Sequence, residues 1–575
     1  MSRQNGVRAI FVTLVLALCA QILVHVLTTS PTFDEPYHVA RSYVYLRTGD
    51  QALLALGGHP PLANLFSVTP LLLRSDIRLP DHEPDWSDVA GFKDLFRLAD
   101  EFYWRLGNDA EGITLWSRLP GLVLVVALAW LVSRWAAQLN GVGAGLLALL
   151  LFAFDPNIIA HGSLVTTDLG AAFFIFLSVY CLWWFCQRPA WGRLLVAGAV
   201  FGLAQATKFS ALSLYPISFL LLVAGTESRS TWASISSRFS NGDSQSRKML
   251  WRALSALAVC GLIWLVGFAV LWAVYRFDVG PLVPHEESHL LLDRLVPVSS
   301  ERLRRAVYAV AESFPVPAPS YFSELAWLQR YAKAGHPSFL MGARGVEGWR
   351  SYFPIAFLIK TPIPLLLLLG AALWLSMRDR AGLKRELFLL APMVVFFAAS
   401  ILSSIDIGYR NLLPLLPLAH VYASRVAGRL SRWWGKAALL LLCVWYVTGS
   451  VAIGPHYLSY FNELIGGPAN GSKYLVDSNL DWGQDLKHLK RYMVSRGLDE
   501  IYLSYFGTAD PAYYGVNARP FPEEPPSAGS EPQHYAISAT NLRGVYASEQ
   551  ALVRWLAAEQ PVERIGYSIF VYRLP

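Results

Sequence analysis

Residues 9–38 read AIFVTLVLALCAQILVHVLTTSPTFDEPYH, and this stretch decides the fold. From Ala9 to Leu27 no residue is charged, and the run approaches the roughly 20 apolar residues needed to cross a bilayer. Arg3 and Arg8 precede it, which predicts a cytoplasmic N-terminus. The run is longer than the apolar region of a cleaved signal peptide, and Leu-Ala-Leu-Cys19 is a poor lipoprotein site, so it reads as a retained span. Directly beyond it, Pro31-Thr32-Phe33-Asp34-Glu35-Pro36-Tyr37-His38 places two carboxylates and an imidazole just outside the bilayer.

Working outward, the whole chain has the same character. Its 575 residues are 54% hydrophobic and only 15% charged, against about 25% charged in soluble domains. Further apolar spans are predicted near 117–134, 141–156, 168–187, 194–206, 209–225, 253–275, 353–376, 386–404, 411–424 and 436–453. The expected fold is an all-α polytopic membrane protein of about eleven transmembrane helices. The net charge of +7 comes with cations gathered in short loops, such as Arg378, Arg380, Lys384 and Arg385, then Arg425, Arg429, Arg432 and Lys436. Under strict alternation these loops all fall inside, so the excess reflects membrane orientation and argues against a nucleic-acid partner. The protein is expected in the cell membrane with a cytoplasmic N-terminus and an extracytoplasmic C-terminus. All five cysteines lie in apolar stretches, which removes a disulfide framework or a cysteine zinc site from the polar loops.

The predicted organisation is a transmembrane domain over 1–453, with large outer loops at 30–116 and 276–352, followed by a small extracytoplasmic α/β domain over 454–575. In the last piece, helical patterns at Gln484–Arg496 and Glu549–Glu559 accompany strand patterns at Glu500–Tyr505, His534–Ser538 and Arg564–Tyr572.

The outer segments carry the chemistry. A helix is expected to start near Pro36, with Asp34 at its positive end and one turn from His38; a simple N-cap role for Asp34 or Glu35 is the competing reading. Gly57-Gly58-His59-Pro60-Pro61-Leu62 is a stiff turn presenting His59. Asp168 sits at another outer helix start, where capping again competes. Lys208, Lys360 and Arg410 lie at or inside the outer ends of spans. Lys360 is deepest in apolar sequence, where an unpaired ammonium costs about 3 kcal/mol or more, and Pro362 and Pro364 nearby could open the helix. Carboxylates facing outward beside membrane-embedded cations suit an anionic lipid headgroup, whose phosphate is held while a hydroxyl is activated. The sequence contains no Gly-rich nucleotide fingerprint. A lipid-linked-sugar flippase or transporter is the alternative, because intramembrane charges also mark substrate pathways. A divalent metal at Asp34 with His38 is compatible with the sequence, but two ligands do not make a site, and no metal residues are assigned.

The order of an Asp-Glu pair after the first span, a Pro-Pro-Leu turn in the first outer loop and a Thr-Asp at the fourth span resembles the C-type glycosyltransferases. The closest resemblance is to bacterial members of the protein O-mannosyltransferase family (glycosyltransferase family 39), and more distantly to the lipid A aminoarabinose transferases. The runs Tyr460-Phe461-Asn462-Glu463-Leu464-Ile465-Gly466-Gly467-Pro468-Ala469-Asn470-Gly471 and Val476-Asp477-Ser478-Asn479-Leu480-Asp481-Trp482-Gly483-Gln484-Asp485 resemble a bacterial subgroup. The resemblance implies a polyprenyl-phosphate-linked sugar donor, a lipid, glycan or protein acceptor, and inversion by single displacement. Asp34 matches the position of the family's catalytic base and Glu35 its acidic companion. His59 stands where the aminoarabinose transferases carry a Lys. His38, His59, Asp168, Lys208, Lys360 and Arg410 are the expected substrate-binding set, the last two by fit to a need for cations near the donor phosphate. The outer loop at 276–352 is too short for the extra domain usual in enzymes that modify protein.

Overall fold

Apolar length and the need to satisfy every backbone group inside lipid favour helices, and helices dominate the structure. The computed structural model describes residues 2–55, 57–80, 92–225, 245–281, 301–378, 380–526, 532–546 and 550–574. Among these, five helices are long and apolar enough to span a membrane: Gln4–Thr28, Ala110–Asn140, Thr167–Gln187, Met249–Val274 and Trp433–Ile453. Two bent pairs raise the number to seven if each is one span, and shorter apolar helices occur at Leu62–Leu73, Phe209–Ala224 and Glu386–Ile401. The chain is a multi-pass membrane protein.

The differences from the expected spans have local causes. The continuous span expected at 353–376 is two helices, Tyr352–Lys360 and Ile363–Arg378, bent by 109°. Pro362 and Pro364 lack the N–H groups that would continue the ladder. The freed carbonyls are satisfied by side chains: Asn462 Nδ2 donates to Leu358 O (2.6 Å) and Thr361 O (2.7 Å), and Asn157 Nδ2 donates to Lys360 O (3.0 Å). Likewise, the span expected at 411–424 is a tighter 3-10 turn, Tyr409–Leu415, leading into a short α-helix, Leu416–Ser424, with Pro414 and Pro417 at the irregular part.

Helix contacts in the bundle depend on small residues. Gly198 and Gly202 lie four apart on the helix Trp191–Gln205, and a Cβ at 202 would stand 2.2 Å from the Gly267 carbonyl oxygen. Only glycine permits that approach, as in small-residue crossings in membranes generally.

Beyond the last span, five short strands form one sheet in the order Ala518–Pro520, Ile501–Ser504, Gln533–Ser538, Ile569–Leu574, Glu563–Ile565. The first two pairings are parallel and the last two antiparallel. The expected strand at Arg564–Tyr572 is two strands, turned at Gly566 and Tyr567, both with positive φ. Alternation along the strands gives the sheet two buried faces. Tyr535, Ile537, Phe570, Tyr572 and Leu574 join the large core of the helical body, whereas Ala536, Ile569 and Val571 pack with Leu486, Leu489 and Met493 of the helix Leu486–Arg496.

Candidate active site

The site grows from the turn that follows the first span. Ser30 N donates to Gln484 O (2.9 Å) and Phe33 N to Trp482 O (2.8 Å), so two backbone hydrogen bonds tie residues 30–33 to the polar segment 482–484. Thr508 Oγ1 also donates to Phe33 O (2.8 Å). The next helix begins at Glu35 with Pro36 in its first turn, and Asp34 occupies the N-cap position without a side-chain capping bond. Its carboxylate is therefore available for something other than capping.

Asp34 lines a cavity of about 770 Å³ together with His59, Lys208, Arg410, Asp477 and Trp482. Arg410 Nη1 donates to Asp34 Oδ2 (2.9 Å) and lies 3.8 Å from Asp168 Oδ2. Lys208 Nζ donates to Asp168 Oδ1 (2.5 Å) and to Asn411 Oδ1 (3.1 Å). The result is a line of alternating charge, Asp34, Arg410, Asp168, Lys208, drawn from four separate parts of the sequence. The Arg410 guanidinium stacks over the Trp482 ring at 4.3 Å, and its Nε is buried without a hydrogen-bond partner. Asp168 does not cap either: it lies in the first turn of the helix Thr167–Gln187, whose N-cap is Thr166, and its oxygens serve the two cations. The capping expected of acids here falls to Asp155, which accepts from Asn157 N (2.8 Å).

Burial raises the Asp34 carboxyl above its ordinary range; Arg410 pulls it back in part, and Asp168 adds a further upward push. His59 is driven down to about 3, chiefly by burial and then by the Lys208 charge, so its imidazole is neutral and its Nδ1 has no partner. His38 is also held well below its usual value, by burial and then by His59. It does not line the cavity; its Nδ1 meets Asn64 Nδ2 at 2.8 Å.

Glu35 and Lys360 also lie outside the cavity lining. Glu35 is fully buried and accepts from Arg118 Nε (2.8 Å) and Nη2 (2.6 Å), Thr32 N (2.8 Å) and Val165 N (2.9 Å). Burial opposes its ionisation, but the Arg118 charge and these donors outweigh it and leave Glu35 below the usual range. Lys360 Nζ donates to Leu458 O (2.9 Å) and to Asn479 O, with the Phe461 ring 4.7 Å away. Asn479 Oδ1 in turn accepts from Tyr409 N (2.8 Å), next to Arg410. Lys360 thus braces the cavity wall from behind.

Asp477 was assigned no role from the sequence. Its φ of +57° is unusual for a residue with a side chain, and its Oδ2 accepts from Tyr546 OH (2.7 Å) on the cavity wall. Burial is the main cause raising its carboxyl. Its signals were the density of polar residues at 476–485, beyond the last apolar span, and its place in the run that resembles a bacterial subgroup. The pair Asp34 and His38 gathers no third metal ligand; among the described residues the one cluster of three is elsewhere, at His456, Asp485 and His488.

Residues 105–237, less than half of the chain, match the model of the family described as dolichyl-phosphate-mannose-protein mannosyltransferase. This agrees with the resemblance read from the sequence. No curated protein sequence matches the chain. The crystal structure of ArnT from Cupriavidus metallidurans bound to undecaprenyl phosphate is similar over 99% of this chain and 98% of that one, at 15% identity and a TM-score of 0.45. The archaeal oligosaccharyltransferase AglB from Archaeoglobus fulgidus, in complex with an inhibitory peptide and a dolichol-phosphate, is similar over 92% of this chain and 62% of that one, at 11% identity and a TM-score of 0.42.

Proposed function

We propose that the chain is an inverting glycosyltransferase that moves a sugar from a polyprenyl-phosphate donor to an acceptor hydroxyl on the extracytoplasmic side of the membrane. The observation that carries this reading is that Asp34, Arg410 and Lys208 line one large cavity, with Asp34 paired to Arg410 and the buried Asp168 linking the two cations from behind the wall. A phosphodiester donor needs cationic N–H groups, and an acceptor hydroxyl needs a nearby base. Arg410 has an unpartnered Nε, and Lys208 has a third N–H beyond the two it gives to Asp168 and Asn411.

In this reaction the acceptor oxygen attacks the anomeric carbon while Asp34 takes its proton. The bond from that carbon to the phosphate oxygen breaks, and the leaving polyprenyl phosphate collects negative charge beside Arg410 and Lys208. His59, neutral, contributes a hydrogen bond rather than a charge. Asp168 keeps both cations in place. Glu35 and Lys360 act as positioning residues, Glu35 by fixing the turn that presents Asp34 and Lys360 through Asn479. The positive-inside loops support an outer location for the cavity. Undecaprenyl phosphate in ArnT and dolichol-phosphate in AglB belong to the same chemical class as the donor proposed here.

The test measures sugar transfer from a panel of radiolabelled polyprenyl-phosphate monosaccharides in membranes carrying the native chain or Asp34→Asn at matched protein levels, with a cell-envelope extract as acceptor. Transfer by the native chain that falls at least about a hundredfold in the variant is expected. Transfer that survives the substitution, or none across the panel, overturns the proposal; movement of intact donor across vesicles without transfer would favour a flippase.

A further inference from the structure

Just past the last span, His456 follows Ile453 by three residues and meets the start of the helix Leu486–Arg496. Its Nδ1 lies 3.6 Å from Asp485 Oδ1, and His488 Nδ1 lies 2.8 Å from the same oxygen. The two imidazole rings are 4.7 Å apart. One ligand atom from each of the three residues falls within 4.8 Å of the others.

We propose that His456, Asp485 and His488 bind a divalent transition-metal ion of the zinc type. Two imidazoles and a carboxylate suit such an ion. Bonds of roughly 2.0–2.1 Å at tetrahedral angles put ligand atoms about 3.3 Å apart. The observed 2.8 and 3.6 Å bracket that separation, and 3.6 Å is too long for a hydrogen bond. The surroundings hold the carboxylate as a metal site requires. Asp485 is 1% exposed, and its second oxygen accepts from Ser568 Oγ (2.6 Å) and Gln484 Nε2 (3.0 Å). These bonds fix the carboxylate with Oδ1 toward the imidazoles, which is the role of outer partners around metal ligands. Gly566 makes room: a Cβ there would fall 2.3 Å from Asp485 Oδ2. A cavity of about 540 Å³, lined by His456, Glu563 and Tyr567, leaves one side open for a water as fourth ligand. On binding, the His488 proton resides on Nε2, and the Nδ1 lone pair goes to the ion.

The ion ties the end of the last span to the helix that carries the sheet. Asp485 also follows the segment 482–484 that holds residues 30–33 in place before Asp34. Its role is to brace those backbone hydrogen bonds, and the site itself is independent of which sugar or acceptor the cavity takes.

The test uses the full chain in detergent, stripped with EDTA, titrated with zinc chloride and desalted, with bound zinc measured by mass spectrometry and unfolding followed by temperature. About one zinc per chain and a raised Tm are expected. His456→Gln and His488→Gln should each weaken binding at least tenfold and abolish the zinc-dependent Tm shift, each measured against the variant's own metal-free Tm, which His488→Gln lowers by removing the 2.8 Å bond to Asp485. Substoichiometric zinc on the native chain, or zinc content and Tm shift unchanged by both substitutions, overturns the proposal. If the variants fail to fold, cobalt on the native chain decides: an intense visible band of a four-coordinate ion supports the site, and a weak octahedral spectrum rejects it.

Discussion

Arg410 is the residue on which the site's charge balance turns. It neutralises Asp34 at 2.9 Å and partly neutralises Asp168 at 3.8 Å. In Arg410→Gln, Asp34 loses the charge that partly offsets its burial, so its carboxyl rises further. The acid limb of the kcat/KM profile should move up by roughly 1–3 pH units, and kcat should fall as well because the phosphate loses a donor. An unmoved limb would remove Asp34 from the role of base. Glu35 should behave differently. Replacing it with Gln leaves the Arg118 guanidinium buried without a counter-charge, which costs about 3–5 kcal/mol for pairs this enclosed. The expected readout is a lower Tm and yield, with KM unchanged in the protein that folds. The two acids are adjacent in sequence, and the resemblance implied Asp34 as the base with Glu35 as its acidic companion. That Glu35 is locked away from the cavity depends on its partner, because Arg118 and Arg410 come from distant helices.

At the scale of elements, the packing rests on positions where the backbone itself is the contact. Gly202→Leu would drive a side chain into the Gly267 carbonyl, and the helices Trp191–Gln205 and Gln245–Val274 would have to separate. Overpacking of this kind costs about 1–3 kcal/mol or more, visible as a lower Tm in detergent. Asn462→Ala removes the donors at the 109° break, leaving the Leu358 and Thr361 carbonyls unpaired at about 1–3 kcal/mol each. Increased proteolysis near residue 361 together with a lower Tm is expected; wild-type resistance would mean that water replaces the amide. Pro362 and Pro364 announced a weak point in the span. That Asn462, a hundred residues later, would repair it was not legible, since hydrogen-bond partners across a fold leave no local pattern.

For the whole molecule, buried acids outside the spans set the pH dependence of stability. Burial, only partly offset by bonds from Thr540, pushes Asp481 up to about 7. A raised folded value means that the folded state holds the proton more tightly. The associated stability is complete below about pH 4 and is lost as pH rises to about 7. Asp481→Asn should therefore match the native Tm near pH 4 and exceed it near pH 8. Glu35 works in the opposite direction, stabilising above the ordinary carboxylate range and losing that contribution as pH falls. What the sequence by itself determined was the membrane class, the helical bundle, the strand segments beyond residue 500, and the residue types needed for phosphate and proton chemistry. Apolar length, periodicity and charge placement are local properties, so they survive in one dimension. The tertiary structure alone decided that Asp34, Lys208 and Arg410 share a wall, that Asp168, Glu35 and Lys360 stand behind it, and that Asp477 joins it. Those outcomes depend on which buried charge finds which partner, and the cost of leaving any of them unpaired is settled only when distant segments meet.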